Sequence, residues 1–293
     1  SLIDPIDIQL YAINNLGHVI GARDDNYFIY DGEIENALPC FADACGFDDI
    51  NESGQSIGWY FNLSDGVWLE GGFNYFIHGF IYQNGGFETI DVPGALSTNP
   101  LGINNEGQIV GTCAFYIGQQ QLCGSFRYDA FIYDNGEFQL FPNAGFTGNN
   151  DNGLIVGYSI NYISTPDGSC YQENVPFVYD GENFTYNLPA GGPEDINNPG
   201  QVIGTFYDTG SIYIYDLRDG SIITFVDIDP DDKCINDFGQ FATNNDDYDL
   251  GGGDGDVGLI LTPCPFPFPF GENIYPPLLP PKPTLPSTAS IKK

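Results

Sequence analysis

The chain is short of bases: across 293 residues, 7 Lys and Arg and 2 His stand against 40 Asp and Glu, for a formal net charge of −33. Only 16 % of residues are charged, below the roughly 25 % of an average soluble domain, so the acidity comes from missing cations. Phosphate binding needs clustered Lys and Arg, and their scarcity excludes nucleic acid and anionic membrane surfaces as partners. No run approaches the roughly 18 apolar residues of a membrane-spanning helix, so no membrane insertion is expected. Methionine is absent and the chain opens at Ser1, from which we expect a processed, exported form whose signal segment has been removed. What is present is apolar and aromatic: 42 % hydrophobic residues, 15 % aromatics, 38 Gly and 21 Pro. That composition supports a large buried core and lacks the signature of disorder.

A repeat organises the chain. The segments INNLGHVIG (13–21), INESGQSIG (50–58), INNEGQIVG (103–111), NNDNGLIVG (149–157), INNPGQVIG (196–204) and INDFGQFAT (235–243) share one pattern. It is anchored on Gly17, Gly54, Gly107, Gly153, Gly200 and Gly239. Three residues before each glycine stands an asparagine: Asn14, Asn51, Asn104, Asn150, Asn197 and Asn236. Four residues after it a second glycine follows (Gly21, Gly58, Gly111, Gly157, Gly204), with Thr243 in the sixth copy. The spacings are 37, 53, 46, 47 and 39 residues, close to the period of a propeller blade. Asn-x-x-Gly between apolar runs predicts a tight turn, with the asparagines as turn caps.

Each copy continues with a second signature, as in GFIYQNGGFETI (79–90) and AFIYDNGEFQLF (130–141). Aromatic and β-branched residues favour strands, and Asn-Gly or Asp-Gly supplies the positive φ of a two-residue hairpin turn. Two hairpins per repeat make a four-stranded blade. Six repeats predict an all-β, six-bladed β-propeller over 1–262, followed by an extended Pro-rich tail over 263–293. The sixth repeat has a third strand, GLILTP (258–263), without an obvious fourth. The N-terminal segment 3–15 is expected to supply it and close the ring.

The pattern resembles the HAF-type extracellular repeat family of bacterial secreted proteins, whose repeats read I-N-x-x-G-Q-I-V-G followed by H-A-F-x-Y. His78-Gly79-Phe80 is the nearest copy of the three-letter signature, with Asp129-Ala130-Phe131 and Pro176-Phe177 as variants. The resemblance covers about residues 1–263. It implies a secreted, propeller-like repeat protein and carries no generally assigned activity.

From Pro263 onward, 31 residues contain 10 of the 21 prolines, which predicts an extended, largely polyproline II segment. The tail brings Lys282, Lys292 and Lys293 against the single acid Glu272, opposite in charge to the rest of the chain. Phe266, Phe268, Phe270 and Tyr275 alternate with proline as preorganised anchors. We expect Cys264, these aromatics and Lys282 to dock on a neighbouring copy, a head-to-tail contact that builds a filament. Docking back on the same propeller is the competing expectation.

Seven cysteines in an acidic chain fit an oxidising compartment, and the odd count leaves at least one unpaired. Cys40 with Cys45 and Cys113 with Cys123 are expected to form local disulfides, and Cys234 with Cys264 is a possible pair that would pin the exit of the tail. The partner of Cys170 is left open. Asp246, Asp247, Asp249, Asp254 and Asp256 crowd a Gly-rich run whose hard oxygens suit Ca²⁺, weighed against a plain solvated loop. Asp227, Asp229, Asp231 and Asp232 form a second acidic group.

Catalytic chemistry is sparse in the sequence. His18 and His78 both fall inside repeat signatures, so a Ser–His–Asp triad is not expected. No carboxylate pair is singled out for glycoside hydrolysis. Asn51, Asn62 and Asn183 lie in glycosylation sequons. The sequence therefore leads to the expectation of a secreted, non-enzymatic structural protein that assembles with itself. The alternatives are a propeller binding an extracellular glycan or other ligand on one face, and a secreted carbohydrate-active enzyme.

Overall fold

The computed structural model describes residues 8–23, 26–33, 35–69, 72–118, 123–225, 234–243 and 259–261. Among them there is no helix, and the strands form a six-bladed β-propeller. Blade 1 is β1 (Ile8–Ile13), β2 (Val19–Arg23), β3 (Asn26–Tyr30) and β4 (Glu35–Ala37). Blade 2 begins with β5 (Ala44–Ile50) and β6 (Ser56–Phe61). It leaves the sheet for a separate hairpin, β7 (Val67–Leu69) and β8 (Gly72–Asn74), and resumes with β9 (His78–Gln83) and β10 (Gly86–Ile90). Blade 3 is β11 (Ser97–Ile103), β12 (Ile109–Tyr116), β13 (Phe126–Asp134) and β14 (Glu137–Pro142). Blade 4 is β15 (Ala144–Asn149), β16 (Ile155–Ser164), β17 (Cys170–Tyr179) and β18 (Phe184–Thr185). Blade 5 is β19 (Gly191–Ile196), β20 (Gln201–Phe206), β21 (Ile212–Asp216) and β22 (Ile222–Phe225). In blade 6, β23 (Cys234–Ile235), β24 (Phe241–Thr243) and β25 (Leu259–Leu261) are described.

All pairings within the blades are antiparallel, and the first strand of each blade lies against the first strands of its two neighbours around the axis. The N-terminal expectation is corrected here. Ile8–Ile13 pairs with β2 as the innermost strand of blade 1, so it is not the outer strand of blade 6. Residues 1–7 lie outside the described set.

Both glycines of the repeat have a steric cause. The first lies in the turn with φ between +72° and +87° in all six copies, which only glycine adopts without strain. The second lies where β2, β6, β12, β16 and β20 pass the bulged inner strand. A Cβ on Gly58 would come within 1.9 Å of the Gly46 carbonyl oxygen, and one on Gly111 within 2.1 Å of that of Asn99. The Asn-Gly hairpins form as predicted, with Asn84 at φ 52° and Asn135 at φ 50° ahead of Gly85 and Gly136.

The core lies between blades. The aromatic of each second signature, Phe28, Phe80, Phe131, Phe177 or Tyr213, is buried, and the last four pack in clusters shared with the preceding blade, with Phe47, Phe146 and Phe241 in the same kind of cluster. At the position before each turn asparagine stand Ile13, Ile50, Ile103, Ile196 and Ile235, all buried, while blade 4 places Asn149 there. Its Nδ2 donates to the Gln108 carbonyl at 3.1 Å, and its Oδ1 is buried with no partner.

The turn asparagines do more than cap. Each Oδ1 accepts backbone N–H groups from residues two and four further on; for Asn104 these are Glu106 at 3.1 Å and Gln108 at 2.9 Å. Only Asn197 lacks the first of these bonds, because the residue two further on is Pro199. Each Nδ2 donates to the backbone carbonyl of the next blade's asparagine. The bonds run Asn14 to Asn51 (3.0 Å), Asn51 to Asn104 (3.1 Å), Asn104 to Asn150 (3.3 Å) and Asn150 to Asn197 (2.9 Å). They continue from Asn197 to Asn236 (2.9 Å) and from Asn236 back to Asn14 (3.3 Å). The six carboxamides form an unbroken cycle, and the last bond joins blade 6 to blade 1.

Cys40 and Cys45 are bridged as expected. The Cys113–Cys123 expectation is corrected, since Cys123 bonds to Cys170 and thereby links blades 3 and 4. Strand alternation is the reason: Cys113 shares a face of β12 with Ile109 and is buried in the core, its thiol 3.4 Å from the Asp129 carbonyl oxygen. Cys234 is a free, buried thiol on the inner strand of blade 6, not a disulfide cysteine, and Cys264 lies outside the described residues.

Asn104→Asp keeps an oxygen for both turn caps but points a carboxylate at the Asn150 carbonyl. It is expected to destabilise the protein by about 1–3 kcal/mol in denaturant unfolding, and an effect below about 0.5 kcal/mol would show that the cross-blade bond contributes nothing. Asn149→Ile restores the isoleucine of the other blades and removes the unpartnered oxygen, for an expected gain of about 1 kcal/mol in the same assay.

Candidate functional site

Two regions concentrate chemistry: the axial mouth and the outer part of blade 2. At the mouth the residue after each turn asparagine alternates between amide and acid around the ring: Asn15, Glu52, Asn105, Asp151, Asn198, Asp237. The backbone N–H of each of the last five donates to the side chain of the next member: Glu52 to Asn105 (2.8 Å), Asn105 to Asp151 (2.7 Å), Asp151 to Asn198 (2.8 Å), Asn198 to Asp237 (2.7 Å) and Asp237 to Asn15 (2.6 Å). Side-chain amides add further bonds, including Asn15 to both Glu52 (2.7 Å) and Asp237 (2.8 Å). The carboxylates thus find amide donors where no Lys or Arg is at hand.

Beneath this ring lie two buried carboxyls and the Cys234 thiol. Asp49 accepts the N–H groups of Ile50 (2.7 Å) and of Ile103 in the next blade (2.8 Å). Asp195 repeats the arrangement with Ile196 (2.7 Å) and Ile235 (2.9 Å). Cys234 Sγ lies 3.5 Å from Asp49 Oδ1. Burial pushes Asp49 up from 3.8 to about 6 in spite of these donors. Burial and the charge of Asp49 push Asp195 up to about 7. The Cys234 thiol is raised by burial and by both carboxyls, which leaves it a poor nucleophile. Among the described residues no group of three or more His, Cys, Asp or Glu is placed to hold a metal.

Among the described residues blade 2 alone carries an inserted hairpin, the source of its 53-residue spacing. Both tryptophans of the chain are here. Trp59 and Phe61, two apart on β6, hold their rings parallel within 4° at 6.3 Å. Phe61 meets Tyr75 at 4.9 Å, Tyr75 meets Phe73 at 5.2 Å, and Phe73 meets Trp68 at 5.4 Å, so five rings form a continuous row. The strand partner of Trp59 on β5 is Gly46, and a Cβ there would lie 2.6 Å from Trp59 Nε1, so the indole lies over a residue with no side chain. Trp68 is 77 % exposed, with Tyr75 and Leu63 also open to solvent.

On the other face of β6, His78 stacks on Tyr60 at 4.9 Å and ties the insertion to the blade. Its Nδ1 is 2.7 Å from Asp91 and its Nε2 3.4 Å from Asp65, whose Oδ1 has no partner. His18 stands in the turn of blade 1, its backbone N–H capped by Asn14 Oδ1, the repeat role expected of it. Asn51 is buried inside the cycle, which removes it as a glycosylation site. Other expected site residues lie outside the described set: the calcium group Asp246, Asp247, Asp249, Asp254 and Asp256, the acids Asp227, Asp229, Asp231 and Asp232, and the tail residues Cys264, Phe266, Phe268, Phe270, Tyr275, Lys282, Lys292 and Lys293.

No family model and no curated protein matches the sequence. Solved structures share the fold. An acylaminoacyl peptidase from Pyrococcus horikoshii is 14 % identical with a TM-score of 0.50, over 87 % of this chain and 43 % of that one. The β-propeller domain of the Trilobed protease from Pyrococcus furiosus is 14 % identical with a TM-score of 0.48, over 81 % of this chain and 75 % of that one. The PQQ-bound aldose sugar dehydrogenase from Streptomyces coelicolor is 11 % identical with a TM-score of 0.46, over 89 % and 96 %. The chain spans less than half the length of the peptidase. The expectation of a protein without enzymatic activity is corrected by this finding: the fold is shared with that of a peptidase, so it gives no ground for setting catalysis aside.

The raised acids fix a pH dependence. Asp49 and Asp195 hold protons in the folded chain at pH values where the unfolded chain has lost them. Their contribution is therefore complete below about pH 4 and is lost as the pH rises through about 6 and 7. Stability should fall between pH 4 and pH 8, and in Asp195→Asn the slope should be shallower than in the parent. Parallel slopes in denaturant titrations would contradict this assignment.

Proposed function

We propose that this chain is an extracellular recognition module in which the propeller is the rigid support and the aromatic insertion of blade 2 is the binding face. The observation that carries the reading is the row of five rings ending in the exposed Trp68. Contiguous exposed aromatics on a folded domain are costly to leave in water and mark interaction sites. Trp68 and Phe73 lie on a hairpin outside the blade's sheet, and His78 stands between Asp65 and Asp91 where the chain rejoins the blade. Two disulfides fit an oxidising, extracellular setting. The filament expectation rested on the tail, whose residues lie outside the described set, and it is not carried further.

The test is retention of the full chain on arrays of immobilised glycans and peptides, beside the double variant Trp68→Ala with Tyr75→Ala. Both substitutions are at exposed positions, so the melting temperature should hold. The reading predicts a ligand class that retains the parent and loses the variant; equal retention of the two, or none on any surface, would overturn it.

A further inference from the structure

Resting on that reading, we infer that the ligand of the blade 2 face is a neutral, hydroxyl-rich saccharide chain. The first argument is charge. Residues 41–91, which span the blade, contain no Lys or Arg and eight acids. Among the described residues of the whole chain the three arginines, Arg23, Arg127 and Arg218, are each paired with a carboxylate elsewhere. A phosphate, sulfate or uronate meets no counter-charge here and is repelled by a field of net charge −33.

The second argument is shape. Trp59 and Phe61 lie parallel within 4° and Tyr75 departs from Phe61 by 27°, while Phe73 stands at 81° to Tyr75 and 65° to Trp68, so the row turns at Phe73 between the exposed Tyr75 and Trp68. A pyranose is the complementary object: its flat face presents C–H groups to the negative π face, while its hydroxyls point outward at the rim.

The third argument is the polar edge. Asp65, its side chain 37 % exposed, lies in the loop leading to β7, and Asn74 belongs to β8 itself. Acceptors of this kind receive hydroxyl protons, and a few fixed polar groups beside an apolar surface are what confer orientation in ligand sites. Three of the rings, Trp68, Phe73 and Tyr75, are exposed, which favours a chain of several sugar units over a monosaccharide.

Because Trp59 and Trp68 are the only indoles, tryptophan emission reports this face alone. The full chain is titrated with neutral cello-, xylo- and chito-oligosaccharides of six units, with polygalacturonate as the anionic arm and tetramethylammonium as the cationic arm, and affinities are confirmed by calorimetry. The inference predicts an emission shift with at least one neutral oligosaccharide, binding weakened about tenfold or more by Tyr75→Ala, and no response to the charged probes. Trp68→Phe, which keeps an aromatic face, should retain most of the affinity. A response to tetramethylammonium or polygalacturonate alone, or none to any neutral oligosaccharide, overturns the saccharide assignment. If a peptide surface still separates the parent from the double variant, only the ligand class has failed; if nothing separates them, the binding-face reading has failed with it.

Discussion

Every blade of this propeller is held to the next by one carboxamide, and most other features can be read as consequences. A residue at the turn before β2, β6, β12, β16, β20 or β24 has two tasks. It must accept two N–H groups from its own turn, and it must donate to a carbonyl in the neighbouring blade. Serine and aspartate cap turns equally well but cannot send an N–H outward, and glutamine is a methylene too long for the same cap. Asparagine does both, and a closed cycle of six such bonds leaves no first or last blade.

Drawing six inner strands onto one axis brings backbone close to backbone. The second glycine of the first five repeats follows from that approach, because the carbonyl of the inner strand occupies the space a side chain would need. The bulges also turn N–H groups toward the axis. Asp49 and Asp195 take two each, one from their own blade and one from the next. Burying two carboxyls together raises both, so these acids hold the ring best when protonated. With the axis spent on closure, the region left free for recognition is the periphery, and blade 2 alone among the described blades carries an accessory hairpin there.

Much of this was legible in the sequence, and the misses have physical reasons. Blade number, hairpin turns and the structural role of His18 follow from repeat spacing and turn chemistry. The cross-blade role of the asparagines did not, because capping alone accounts for an asparagine at any one turn. The overlooked signal was that serine and aspartate never take its place in six copies. Ile8–Ile13 stands just ahead of Asn14 as Ser97–Ile103 stands ahead of Asn104, which marks it as an inner strand. Cys113 lies four residues after the core residue Ile109 on one strand, so period-2 alternation turns it inward, away from Cys123. The blade 2 face was announced by the longest repeat interval and by both tryptophans falling on one blade, but the order of the rings exists only in the fold.

The claim that one cycle of side-chain amides closes the whole propeller is most directly tested by native-state hydrogen exchange. The N–H groups capped by the six asparagines, among them those of Gln55, Gln108, Leu154, Gln201 and Gln240, should exchange together in the slowest class. The insertion around β7 and β8 should exchange far faster. In Asn236→Ala, which opens the cycle between blades 6 and 1, protection should fall at all six turns at once. Loss confined to the turn of blade 6, with the other five unchanged, would contradict the account.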